Sequence, residues 1–207
     1  MNRSILSAAI VSLSLAATSY AAPVYSGPLN TPLLANFNGT YLNLVNGTVV
    51  NGLPNFPAGS PLDINIWVSA APPVGWKLFA NSNGALADGG IAVSSGFFGA
   101  LLNSGQLVGP ASTFSISADV TTANVAGTNI YGVRFLNEAG PNTIHYGWVQ
   151  LNLTPGSSGV ATGTLLGYGF ESTPDTAIIA GAGIPEPTTL AVLGAAAAFV
   201  LRRRRGA

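Results

Sequence analysis

Between residues 22 and 183 apolar side chains alternate with polar ones in short runs that glycine and asparagine keep interrupting. Asp63-Ile-Asn-Ile-Trp-Val68 sets Ile64, Ile66 and Val68 on one face and Asp63, Asn65 and Trp67 on the other. Thr113-Phe-Ser-Ile-Ser-Ala-Asp-Val120 does the same with Phe114, Ile116, Ala118 and Val120. Successive side chains of a strand point to opposite faces, so this pattern suits half-buried β-strands. No segment of this region carries a long helical apolar stripe, and only Phe97 to Leu102 suits a helical turn.

Asn38-Gly39, Asn46-Gly47 and Asn51-Gly52 are hairpin-type turn signals around strands expected at residues 41–45 and 48–50. Further strands are expected near residues 74–80, 91–94, 129–137, 143–153, 163–171 and 177–180. Many short strands with tight turns predict an all-β, antiparallel β-sandwich or jelly-roll-like domain. The most legible pair is 129–137 with 143–153, joined by Glu138-Ala-Gly-Pro-Asn142. A simple hairpin pairs Asn137 with Thr143, so Gly132 faces Trp148 and Arg134 faces Tyr146. The indole can then cover a bare glycine while the guanidinium lies on the phenol ring.

The two ends have a different character. Arg3, an apolar run from Ile5 to Ala17, and Ser19-Tyr20-Ala21 form the three parts of a secretory signal peptide over residues 1–21. The small residues Ser19 and Ala21 suit signal peptidase, which places the cut after Ala21; a mature N-terminal helix is the competing reading. At the other end Pro185, Glu186 and Pro187 precede Thr188-Thr189, an uncharged run from Leu190 to Leu201, and Arg202, Arg203, Arg204 and Arg205. The prolines bar helix upstream and a threonine can cap its start, predicting one short transmembrane helix over about 188–201. At ~1.5 Å per residue it reaches ~21 Å, short of a ~30 Å hydrocarbon core, and snorkelling arginines make up the difference. The arginines hold the tail on the cytoplasmic side and so place the domain outside. A core helix with a basic end is the competing reading.

Pro185-Glu186-Pro187, the apolar run and the arginines resemble the PEP-CTERM sorting signal of exopolysaccharide-producing Gram-negative bacteria. The resemblance spans residues 184–207. It implies handling by an exosortase, a membrane protease, with the three motif residues recognised on a substrate. It also implies transient inner-membrane anchoring, followed by the outer surface or extracellular matrix. His145-Tyr146-Gly147-Trp148-Val149 and Gly167-Tyr168-Gly169-Phe170-Glu171-Ser172 are similar to stretches of many cargo domains with this tail, which implies a shared β architecture. The expected layout is a signal peptide at 1–21, one exported domain at 22–183, and the sorting signal at 184–207.

Charge and residue supply narrow the chemistry. The domain has only Lys77 and Arg134 against Asp63, Asp88, Asp119, Glu138, Glu171 and Asp175, a poor match for nucleic acid. The absence of cysteine rules out disulfides and thiol chemistry. His145, the one histidine, reads as structural, and neither metal-ligand spacing nor a Gly-x-Ser-x-Gly elbow is present. No cofactor or metal is expected, Asp88-Gly89-Gly90 being too little for a calcium loop. Glu138, Glu171, Asp63 and Asp119 could supply a glycosidase acid pair, or simply be solubilising charges.

Binding is the stronger expectation. Trp67 beside Asp63 and Asn65 could stack a sugar ring while its neighbours bind hydroxyls. Tyr146, Trp148, Gln150 and Arg134 could form a second platform, with core packing as the competing reading for both sets. The leading expectation is a non-enzymatic surface or matrix protein with a structural or polysaccharide-binding role. A polysaccharide hydrolase is second and an ice-binding or adhesive protein third.

Overall fold

The computed structural model describes residues 23–184 apart from 54, 56–60, 71–74, 82–88, 97, 121–125, 138–141, 155 and 157–159. The expected signal peptide, the tail helix and all of the Pro185 to Ala207 segment lie outside the described residues. The regular structure that is described is entirely β. Short strands β1 (Val24–Tyr25), β2 (Thr31–Pro32), β3 (Thr40–Leu42) and β4 (Val49–Asn51) lead into β5 (Ile64–Ser69), β6 (Gly75–Ala80) and β7 (Gly90–Ser95). Then come β8 (Phe98–Gly99), β9 (Leu101–Leu102), β10 (Leu107–Val108), β11 (Phe114–Ser115) and β12 (Ser117–Asp119). The long strands β13 (Gly127–Asn137), β14 (Thr143–Thr154) and β15 (Thr162–Phe170) precede a last short one, β16 (Ile178–Ile179).

Fourteen of these strands form one sheet, along the path β1-β15-β14-β13-β7-β8-β12-β6-β5-β3-β4, with β2, β9 and β11 attached at β15, β13 and β7. The sheet curls into a half-barrel. The two layers expected of a sandwich or jelly roll are therefore two halves of a single sheet. Strand β7 joins them: it pairs β13 and β11 in one half and, through an irregularity between Val93 and Ser95, β8 in the other. A bulge there bends the strand and strengthens its twist, as a corner requires. The stretch expected as one strand over 113–120 also turns this corner, since β11 pairs β7 while β12 pairs β6. Phe114 accordingly serves a different cluster from Ala118 and Val120. Residues 98–102 are extended in β8 and β9, where a helical turn was expected.

The main core lies inside the curl. Ile64, Ile66, Val68, Trp76 and Leu78 from the β5–β6 half meet Tyr131, Val133, Val149 and Leu151 from the β13–β14 half, all fully buried. Each such side chain contributes roughly 1.5–3 kcal/mol by leaving water. A second cluster occupies the opposite face of β13–β14. There Ile130, Tyr146 and Trp148 are covered by Val108, Ile178 and Ala180, carried on or beside a two-stranded ribbon of β10 and β16. The molecule is thus layered as ribbon, β13–β14 half and β5–β6 half.

The β13–β14 hairpin has the expected register, with Asn137 opposite Thr143, Gly132 opposite Trp148 and Arg134 opposite Tyr146. The side chains lean otherwise. A Cβ on Gly169 would lie 2.9 Å from the Trp148 indole, whereas one on Gly132 would meet Ala92 and Val108. The indole therefore covers the glycine of β15, its other neighbour. The Arg134 guanidinium lies 4.8 Å from the centre of the Phe114 ring, and Phe114 in turn packs on Tyr146.

Candidate functional site

The outer face of the β5–β6 half carries a row of side chains that the register aligns. Trp67 is opposite Lys77, Lys77 opposite Asp119, and Asp119 opposite Phe98 across β5, β6, β12 and β8. Opposed residues share a face, so the four stand side by side on the convex surface. The Lys77 ammonium and Asp119 carboxylate form an ion pair in the middle of the row. At one end Phe98 is 48% exposed, and at the other Phe37, 66% exposed, meets the half-buried Trp67 edge-on at 5.2 Å.

Local chemistry sets Phe37 there. The Asn36 side-chain oxygen accepts from the backbone N–H groups of Asn38 and Gly39, both at 3.0 Å, and the Asn36 carbonyl accepts from Val68 N–H. This Asx turn folds the chain down onto β5 and lifts Phe37 outward. Gly39 is required, because its φ is +66° and a Cβ would sit 2.4 Å from Asn65 Oδ1 and 2.6 Å from Trp67 Cβ.

Beyond Phe98 the row runs into a cleft of about 390 Å³ whose lining includes Ser94, Ser95, Phe98, Asp119 and Tyr131. Ser94 and Ser95, exposed at the β7 irregularity, bring hydroxyls to its rim. Tyr131 is fully buried in the wall, and its hydroxyl has no hydrogen-bond partner among the described residues. Burial pushes the Tyr131 phenol well above its ordinary range, so it stays neutral and able to donate. Row and cleft together offer aromatic faces for stacking beside carboxylate and hydroxyl groups.

The other expected site residues are placed differently. Asp63 is buried, and its Oδ2 accepts from Leu44 N–H at 2.6 Å; Asn65 is buried beneath the 36–39 turn. Neither shares the solvent face with Trp67, because a loop distant in sequence covers them. Tyr146 and Trp148, expected as a second platform, lie under the ribbon, and Arg134 stacks on Phe114 beside them. Both ring nitrogens of the buried His145 are engaged: Nδ1 donates to the Glu171 carbonyl at 2.7 Å, and Nε2 lies 3.0 Å from the Thr143 hydroxyl.

The acids considered for a catalytic pair are engaged separately. Asp63 holds Leu44 N–H, Asp119 pairs with Lys77, and Glu171 Oε1 accepts from Thr173 N–H at 3.1 Å. Glu138 and Asp88 lie outside the described residues, as do Ser19, Ala21, Pro185, Glu186, Pro187 and the four arginines. Among the described residues no cluster of three or more His, Asp or Glu is placed to hold a metal, and no helix is long and apolar enough to cross a membrane.

Sequence reasoning missed Phe37, Lys77 and Phe98. A signal existed for the first, since an aromatic flanked by asparagines before a glycine is displayed on a turn rather than packed under one. Lys77 and Phe98 join only through strand pairing.

Residues 176–205 match the family model of the PEP-CTERM protein-sorting motif. No curated protein and no solved structure matches the chain. The matched segment includes Pro185, Glu186, Pro187 and Arg202 to Arg205, and it begins within the folded domain, taking in β16 and Ile184.

Proposed function

We propose that this exported chain, which bears a PEP-CTERM sorting motif and so has an exosortase as its implied sorting partner, binds polysaccharide at the cell surface or in the extracellular matrix. Signal peptidase removes residues 1–21, the 188–201 helix anchors the precursor transiently in the inner membrane, and exosortase processing near Pro185-Glu186-Pro187 releases or transfers it. The domain then acts by binding, not by catalysis.

One observation carries the binding role: the row of exposed Phe37 and Phe98 with the partly exposed Trp67 around the Lys77–Asp119 pair. At ~4.8 Å per strand the row from Trp67 to Phe98 spans three gaps, ~14 Å, and Phe37 lengthens it. Aromatic rings stack on the C–H faces of sugar rings, while a carboxylate, an ammonium and hydroxyls reach the sugar hydroxyls. The cleft beside Phe98, with its serine hydroxyls, suits a side branch or chain end of the same polymer.

The three tryptophans provide a direct test. Trp76 and Trp148 are fully buried while Trp67 is not, so a fluorescence change on adding polysaccharide reports on Trp67. Titration of the processed protein with exopolysaccharide from the producing bacterium should give a saturable change. Trp67→Ala should weaken binding measured by calorimetry by about tenfold or more, the ~1.4 kcal/mol of a modest stacking contact. Equal binding by wild type and Trp67→Ala would overturn the assignment. Release of new reducing ends during incubation would favour the hydrolase instead.

A further inference from the structure

The ribbon has two faces. Val108 and Ile178, opposite each other, point into the second cluster and are buried. Leu107 and Ile179, the next pair, point outward and are 66% and 49% exposed. Toward the N-terminal strand Pro23, Ile179 and Ala182 line one small hollow, with the buried Glu171 in its wall, and Val24 next to Pro23 is also exposed.

This is also where the chain leaves the domain. Gly105 N–H donates to the Ala180 carbonyl, Ala180 N–H to Gln106, and Ile184 N–H to Gly181. Gly183, at φ +90°, lies so close to Tyr25 that a Cβ would be 2.7 Å from the tyrosine Cβ. Ile184 packs on the second cluster, so the last described residue is fixed beside the ribbon. Five residues, 185–189, separate Ile184 from Leu190, where the uncharged run begins, and these six Cα steps even fully extended reach only ~20 Å.

We infer that the outward face of the β10–β16 ribbon, with Leu107 and Ile179 at its centre, rests on the lipid bilayer while the sorting tail is in the membrane. The inference depends on the 188–201 helix being the membrane run, as proposed above. Contact with lipid removes from water the apolar pair that the fold leaves exposed, and the short tether holds that pair within reach. The attraction is apolar. Lys77 lies on the opposite side of the molecule and Arg134 is stacked on Phe114, so neither domain cation brings the ribbon to anionic headgroups. The contact also points the Trp67 row away from the membrane, because the row lies two sheet layers, ~20 Å, beyond the ribbon.

The cysteine-free chain allows a clean test. Leu107→Cys, Ile179→Cys, Phe37→Cys and Ala196→Cys, each in the full-length chain, would carry one environment-sensitive fluorophore in vesicles of phosphatidylethanolamine and phosphatidylglycerol with a lipid-bound quencher. Strong quenching at 196, and quenching at 107 and 179 at least about twofold above that at 37, is the expected result for an interfacial apolar contact. Quenching at 196 with 107 and 179 no different from 37 would overturn the ribbon contact and leave the tail reading intact. Absence of quenching at 196 would overturn the tail reading, and the ribbon contact with it. Excimer emission between pyrene labels at 107, with lipid quenching lost, would overturn the lipid in favour of a second copy of the chain.

Discussion

Trp67 and Trp148 occupy comparable places in the two halves of the sheet. Each sits on the convex face of its half, beside a glycine that admits close approach and near further aromatic rings. Trp148 is nevertheless fully buried, under Tyr25 and the β10–β16 ribbon, while Trp67 packs on Phe37 and remains partly exposed. The difference arises outside the two strands. The ribbon, whose β16 lies more than two dozen residues downstream of Trp148, lands on one face, while at Trp67 the 36–39 turn covers the other only in part. Period-two alternation tells which residues share a face; it does not tell whether the face meets water.

The strongest way to break this comparison is to remove the covered ring. Trp148→Ala should cost about 3–5 kcal/mol in urea unfolding, because the cavity opens between the ribbon and β14 and neither side can collapse onto the other. A loss below ~1 kcal/mol would mean that the ribbon is only loosely seated. The indole nitrogen is buried and has no hydrogen-bond partner among the described residues. Part of the stabilisation from the ring is therefore already offset by that unmet bond.

Next in size is the glycine under the open face. Gly39→Ala puts a Cβ into Asn65 and Trp67 and forces an L-residue to φ +66°. The left-handed backbone costs about 1–2 kcal/mol and the overlap adds to it, so a total near 2–3 kcal/mol is expected in the same measurement. It should also weaken polysaccharide binding, since Phe37 is carried by that turn. Loss of stability with binding unchanged would separate Phe37 from the site.

These residues mark what was legible in the sequence. The β13–β14 register was readable because two long alternating runs share one short loop, which leaves a single simple pairing. The inward set Ile64, Ile66 and Val68 was readable for the same reason. The ribbon was not, because β10 and β16 have two residues each and alternation cannot be seen in two residues. The corner at Ile116 was hidden because a strand that changes partners keeps its alternation. Asn65 and Asp63 looked solvent-facing because the first is covered by residues 36–39 and the second is held by Leu44, and strand periodicity carries no information about such distant contacts. The sorting motif was fully legible, being contiguous and ordered.

The cleft phenol gives a third, smaller test. Burial raises Tyr131 far above 10.0, and it also raises Tyr25 and Tyr146 on the covered face. A raised acid keeps its proton when folded and loses it at its ordinary value when unfolded. The stabilisation is thus fully present below pH 10.0 and is lost as the pH climbs toward the folded value. Each pH unit above 10.0 should cost about 1.4 kcal/mol per phenol held protonated. Tyrosinate absorbance should then rise together with the unfolding transition. A phenol that titrates near 10.0 in the folded protein and shifts when polysaccharide is added would place Tyr131 in contact with the cleft's solvent.

The smallest stability effect belongs to the residue expected to matter most for binding. Trp67→Ala removes a partly buried ring that packs on Phe37, so unfolding should change by about 1 kcal/mol, well below the cost at Trp148. Binding should fall about tenfold at the same substitution, the ~1.4 kcal/mol of one stacked sugar ring. The two faces would then differ in a measurable sense, with Trp148 setting stability and Trp67 setting affinity. If Trp67→Ala instead destabilised as much as Trp148→Ala, the convex face of the β5–β6 half would be a covered surface like its counterpart, and the cover would have to come from residues outside those described.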